Sequence, residues 1–171
     1  MKCADVIAEF LSHHVKHVFV ISGGASLHII HGIAKRDDLK FICPQNEQSA
    51  SFAADAYARL TGFGCAVATS GPGATNLLTG IATSYYDSVP VLYLTGQQTL
   101  ERLGTGMKVR QYGFQCTPIV DMVKPITKYA TMITSAKGIR GELEIAYKIA
   151  TSKRPGPVLI DIPDDIQRAE I

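Results

Sequence analysis

The sequence predicts a three-layer α/β/α protein, with helices packed on both faces of a mostly parallel sheet. Two observations carry this. Short apolar runs alternate with segments of helical apolar spacing along the chain, the signature of strands joined by crossover helices. The chain has 171 residues, 46% hydrophobic and 19% charged with 15 glycines, an ordinary composition for one α/β domain with a substantial core.

The elements follow in order. Ala4, Ile7 and Leu11, with Val6 and Phe10, keep helical spacing, and HVFVI (17–21) follows as a strand. The SGGAS segment (22–26) is a turn, LHIIHGIA (27–34) a helix and LKFIC (39–43) a strand. A helix rich in small residues runs from about 47 to 60. Alanine loses no side-chain entropy in a helix but fills space poorly, so this one suits a very close approach to a neighbour. CAVATS (65–70) is a strand, PGATNLLTGIATSYYD (72–87) one helix and PVLYLT (90–95) a strand. A long polar connection then reaches about Pro118. The last unit is KYATMI as a strand or edge, a helix over 136–151, and PVLIDI (157–162) as a strand.

Charge and hydropathy exclude several classes. The net charge of +2 comes from interspersed acids and bases, which is no footprint for nucleic acid and no polybasic stretch for an anionic membrane. No apolar run approaches a membrane span. Asp5 and Glu9 sit inside the first amphipathic pattern, which reads as a helix and not as a signal peptide. Four cysteines lie scattered without a C-x-x-C pair. Cys43 and Cys65 fall in strand-like runs, so both are expected as buried free thiols in a reducing compartment, by default the cytoplasm or an organelle matrix.

In open parallel sheets, ligands bind beyond the carboxyl ends of the strands. Three unusual segments fall there: SGGAS after the first strand, PQNEQ after the second and SGPGATN after the third. TSGPGATN has the form of a phosphate-binding turn before a helix, although no G-K-[ST] follows and Asn76 stands where a dinucleotide fingerprint needs glycine; a plain strand-to-helix turn fits as well. SGGAS is a glycine turn ending in a helix cap, or a place where a flat ligand reaches the backbone at Gly23 and Gly24. Glu47 is a carboxylate favoured by a helix dipole, or a functional acid. His28 and His31 have the i, i+3 spacing of a metal pair without further ligands, and no nucleophile elbow accompanies Ser70.

Together, ISGGAS, QNEQSASFAADAYARLTG, ATSGPGATNLLTGIATSYYDSVPVLYLTGQ, GFQCTPIVDMVKPITKY and ATSKRPGPVLIDIPDDIQ resemble, in order, the N-terminal domain of acetolactate synthases and related thiamine-diphosphate enzymes. The resemblance implies a pyrimidine-binding domain with a six-stranded parallel sheet spanning residues 1–171, with 163–171 as the start of a linker to a middle domain. It implies that Glu47 is the glutamate hydrogen-bonded to N1′ of the cofactor's aminopyrimidine. That bond favours the imino tautomer, whose N4′ removes the thiazolium C2 proton to give the carbanion that attacks a 2-oxo acid. Gly24, with Gly23 before it, resembles the glycine whose backbone lies beside the cofactor. Pro72 and Asn76 resemble residues lining the aminopyrimidine pocket, and Gln115 a glutamine facing the reaction centre. Diphosphate and Mg²⁺ belong, by the same resemblance, to a diphosphate-binding domain with a G-D-G…N-N signature. That domain lies outside this sequence, in the same or another chain, and the SGPGATN turn is then not the diphosphate site.

Three departures bear on the substrate. Ser22 stands where acetolactate synthases usually have proline, Cys116 where an acid follows the glutamine, and the segment 104–115 (GTGMKVRQYGFQ) exceeds the family's short G-T-x-x-F-Q. A relative acting on another 2-oxo acid, by decarboxylation or carboligation, fits equally. The expected protein is the pyrimidine-binding part of such an enzyme, at least a homodimer through the alanine-rich helix with Phe52 and Tyr57 near the contact. A stand-alone small subunit of a split decarboxylase and a non-catalytic nucleotide-binding or regulatory α/β module are the alternatives.

Overall fold

A computed structural model describes residues 1–103 and 108–171. Within the segment 104–115, residues 104–107 lie outside the described residues. Six strands form one sheet in the order β2-β1-β3-β4-β6-β5. They are β1 (His17–Val20), β2 (Lys40–Ile42), β3 (Gly64–Ala68), β4 (Val91–Gln97), β5 (Tyr129–Met132) and β6 (Val158–Pro163). Every neighbouring pair is parallel, so the sheet is wholly, not mostly, parallel.

Side chains alternate between the faces of a strand, and each face recruits its own helices. Val18, Val20, Cys65, Val67, Leu92, Leu94, Val158 and Ile160 point into one core with α1 (Cys3–His14), α2 (Leu27–Ala34), α7 (Ile139–Thr151) and α8 (Asp164–Arg168). Phe19, Ala66, Ala68, Val91, Tyr93 and Leu159 point into the other. That layer holds α3 (Glu47–Thr61), α4 (Pro72–Asn76), α5 (Leu78–Tyr86) and α6 (Ile119–Val123).

The small-residue helix has a reason within this chain. Asn46 caps α3 by accepting from the Ser49 N–H at 2.8 Å, and Gly62 ends it at φ 90°. Ala50, Ala54 and Ala58 are buried against β3 and α5. A Cβ on Gly64 would lie 2.2 Å from the Ala54 carbonyl oxygen, and one on Gly80 would lie 2.0 Å from the Ser51 hydroxyl. The helix therefore meets β3 backbone to backbone at Gly64 and α5 through the small Ser51 side chain at Gly80. Further along, the Ser84 hydroxyl donates to Asp55 at 2.8 Å and lies 3.0 Å from the Tyr93 hydroxyl, a buried polar tie between α3, α5 and β4. Arg59 closes it, with Asp55 and Asp87 each at 2.6 Å.

Several expectations need correction. The helix expected over 72–87 is interrupted at Leu77, whose N–H bonds back three residues to Ala74 at 3.2 Å, giving α4 and α5. The stretch between Pro118 and β5 carries α6 and a 3₁₀ turn, Lys124–Ile126, that periodicity did not mark because each is about one turn long. The helix expected from 136 opens with a 3₁₀ turn, Ala136–Gly138, before α7. Cys43 is exposed and not buried, because β2 is the edge strand and the chain leaves it there; Cys65, in central β3, is buried. Tyr57 is half-buried within this chain, its ring edge-on to His17 and Phe19 and its hydroxyl accepting from the Lys16 N–H at 3.1 Å. After β6, α8 packs on the body: Gln167 donates to the carbonyls of Ala25 and Ile162 at 2.6 and 2.7 Å, and Ala169 accepts from the Cys3 N–H.

Adding a methyl group where α3 and α5 touch should force them apart. Gly80→Ala is expected to destabilise the protein by about 1–3 kcal/mol, the usual range for overpacking, read as a lower urea midpoint with an unchanged slope. A midpoint equal to that of the parent protein would refute the close contact.

Candidate active site

The strand order reverses at β1, which pairs with both β2 and β3, so a crevice opens beyond the carboxyl ends of β1 and β3. SGGAS leaves β1 there and TSGPG leaves β3. Thr69 ties the two, its hydroxyl accepting from the Ala25 N–H at 3.2 Å. Gly23 must be small because a Cβ would sit 2.4 Å from Thr69, whereas one on Gly24 would meet nothing within 4 Å. The backbone at Gly24 is thus open to a flat ligand, and that of Gly23 is closed against the next strand's turn.

Glu47 is the first residue of α3, where backbone N–H groups are free and the dipole favours a carboxylate. Asn76, the last residue of α4, donates from Nδ2 to Glu47 Oε2 at 3.0 Å. Oε1 has no hydrogen-bond partner among the described residues. A Cβ on Gly73 would stand 3.5 Å from Oε1, so glycine there leaves room beside the acid. Two segments 29 residues apart meet at this bond. Pro72 starts α4 from an exposed position, with its ring at the first turn.

Gln115 arrives from the opposite side. It has φ 56°, one of three non-glycine residues in the left-handed region among the described residues, and it presses on Gly71, itself at φ 59°. A Cβ on Gly71 would be 2.7 Å from the Gln115 Cβ. Gly24 and Gln115 share a cleft of about 250 Å³, with Thr69, Ser70, Gln97 and Phe114. The structure therefore joins Glu47 to Asn76, and Gly24 to Gln115, with the Thr69–Gly73 turn between the pairs; Pro72 lies at the rim without a polar contact from its side chain.

A buried carboxyl escaped the sequence reading. Asp161, on β6, accepts from the Thr95 hydroxyl at 2.6 Å and from Gln97 Nε2 at 3.0 Å. The same Gln97 amide donates to the Thr117 carbonyl at 3.0 Å and its oxygen accepts from the Gln98 N–H, so Gln97 fastens the segment bearing Gln115 to the strand ends. The signal was present: PVLIDI is an apolar strand with one acid. Burial pushes the Asp161 carboxyl up to about 7, against the Thr95 and Gln97 hydrogen bonds that favour its charged form. Among the described residues, no group of three or more His, Cys, Asp or Glu could hold a metal ion, and no helix is long and apolar enough to cross a membrane.

The arrangement offers an oriented carboxyl on one side of the Thr69–Gly73 turn, and an open glycine backbone with a side-chain amide on the other, groups that can hydrogen-bond a flat polar ligand. Residues 1–122 match the family described as thiamine pyrophosphate enzyme, N-terminal TPP binding domain. Similar curated proteins include acetolactate synthase 2, chloroplastic, of Nicotiana tabacum, 43% identical over 98% of this chain and 24% of that protein. Acetolactate synthase, chloroplastic, of Arabidopsis thaliana is 42% identical over the same shares, and acetolactate synthase of Arthrospira platensis 44% identical over 97% of this chain and 28% of its own length. The chain spans about a quarter of the length of these relatives.

A carboxyl that ionises near 7 when folded and near 4 when unfolded keeps its proton longer in the native state. Stability is therefore expected to fall between about pH 4 and pH 7, by up to about 1.4 kcal/mol per unit. Urea unfolding across that range should show the slope, and Asp161→Asn should flatten it; an unchanged slope in the variant would assign the titration elsewhere.

Proposed function

The chain belongs to the thiamine pyrophosphate enzyme family, through an N-terminal TPP binding domain, and on that premise we propose that it is the pyrimidine-binding half of an acetolactate synthase-like enzyme. The enzyme acts on 2-oxo acids by decarboxylation and carboligation. Bound thiamine diphosphate supplies the carbanion nucleophile for that chemistry. Its diphosphate and Mg²⁺ rest on a second domain, of the same or another chain.

One observation carries the reading: the Asn76–Glu47 hydrogen bond at the head of α3. The Asn76 amide fixes one oxygen of the carboxyl and leaves the other for a ring nitrogen. Glu47 can then hold or give up a proton at Oε1, where an amide could only hydrogen-bond. Gly24 lets the pyrimidine lie against backbone, and Pro72 and Asn76 close the pocket's far side. Gln115, held by its left-handed backbone against Gly71, presents its amide to the reacting substrate.

We place a homodimer contact on the outer face of α3. Phe52 is 41% exposed and Leu60 88%, with exposed Ala56 between them at i+4 spacing, an apolar stripe on a helix whose other face is spent on the sheet. Four free thiols fit a reducing compartment such as the cytoplasm.

In the enzyme assembled with its diphosphate-binding half, Glu47→Gln is expected to slow C2–H exchange of bound cofactor by about 10²–10⁴-fold while leaving thermal unfolding unchanged. Exchange at the parent rate would overturn the assignment. Sedimentation at tens of micromolar should show at least a dimer, and Phe52→Glu should shift it to monomer; a monomeric parent protein would remove the proposed contact.

A further inference from the structure

The amino ends of β4, β5 and β6 meet around a depression of about 280 Å³, at the opposite pole of the sheet from Glu47. Tyr85 and Tyr86 at the end of α5, Lys128 just before β5, and Arg154 and Pro155 before β6 wall it. Lys153 adjoins it in sequence and in charge: burial and then Lys153 push the Lys128 ammonium below its ordinary pKa. None of these three cations has a carboxylate within 4 Å among the described residues. The acid next in sequence to the tyrosines, Asp87, is held by Arg59 at 2.6 Å.

Both lining cations, the half-buried Lys128 and the exposed Arg154, keep donors in reserve. Lys128 donates to the carbonyls of Ile149 and Ser152 at the end of α7, which leaves one of an ammonium's three N–H groups. Arg154 donates to the Ser88 hydroxyl at 2.6 Å and to the Tyr86 carbonyl at 3.4 Å, which leaves three of a guanidinium's five. The backbone around them is strained. Ser88 at φ 62° and Lys153 at φ 52° are, with Gln115, the three non-glycine residues in the left-handed region among the described residues. Two of the three flank this depression and the third stands at the candidate active site.

We propose that this depression binds a phosphorylated ligand of mononucleotide size, its phosphate on Lys128 and Arg154 and its flat ring on Tyr86. The guanidinium fork matches phosphate oxygens, and a tyrosine face stacks a base. Tyr86 is 70% exposed and its ring stands at 76° to that of Tyr85, which gives the pocket an open aromatic wall. The volume sets the size. At about 280 Å³ it falls just short of the usual range for small-molecule pockets, roughly 300–1,000 Å³, which suits a phosphate with one base. The site is independent of the thiamine reading, since none of its residues belongs to the strand ends that hold Glu47 and Gln115.

Calorimetric titration of the 171-residue protein with AMP, inorganic phosphate and adenosine tests the proposal. AMP should bind one to one and more weakly as salt rises, phosphate should bind less tightly, and adenosine should not bind. Arg154→Gln should weaken AMP about tenfold or more. Tyr86→Ser, on the surface, should weaken AMP while leaving phosphate binding and thermal unfolding unchanged. No heat with either AMP or phosphate overturns the site, adenosine binding as tightly as AMP overturns the phosphate assignment, and AMP binding unaffected by Tyr86→Ser overturns the ring contact.

Discussion

The closeness of α3 to its neighbours governs the rest of the structure. A helix whose backbone touches β3 at Gly64, and whose small Ser51 side chain packs directly on the α5 backbone at Gly80, has little freedom to slide or rotate. Dispersion forces fall off within an ångström, so such contacts fix distance sharply. The tie from Ser84 to Asp55 and Tyr93 fixes the position along the helix as well, because a buried hydroxyl and carboxylate left unpaired would be costly. With axis and register both set, Glu47 at one end of α3 meets Asn76 at the end of α4. The alanines that make this possible are thus explained within one chain, and any contact between chains uses the other side of the helix.

The two polar ends of the cleft are held by different means. Around Glu47 the scaffold is backbone packing and one hydrogen bond between side chains. Around Gln115 it is the Gln97 amide, which reaches the Thr117 carbonyl and the Asp161 carboxyl from the last residue of β4. This network lies at the second place where strand order departs from chain order, between β4 and β6. Both halves of the candidate site therefore sit where the topology leaves a gap beyond the strand ends. A strained Gln115 persists there because Gly71 and the Gln97 network over-determine its backbone.

Much of this was legible in the residues. Alternating periodicity located every strand of the sheet and the major helices, since a buried strand or an amphipathic helix carries its own pattern. Glu47 at the head of a small-residue helix and the glycine segments at strand ends already point to the cleft. The short helix α6 was not legible, because five residues cannot establish a period and their helicity comes from Ile119 and Val123 packing under the sheet. Cys43 was misjudged for a related reason: an apolar strand at an edge and one at the centre read alike, and only pairing tells them apart.

The sequence by itself determined the α/β alternation, the family resemblance and the identity of the acid that heads α3. These depend on interactions between residues a few positions apart, or on motifs that are contiguous. Tertiary structure alone decided the strand order, the break at Leu77, the partner of Glu47, the network around Asp161 and the cationic depression at the far pole. Each of those joins segments far apart in sequence. Such contacts are set by how whole elements pack, and packing distance is a property of two surfaces together, which no local pattern records.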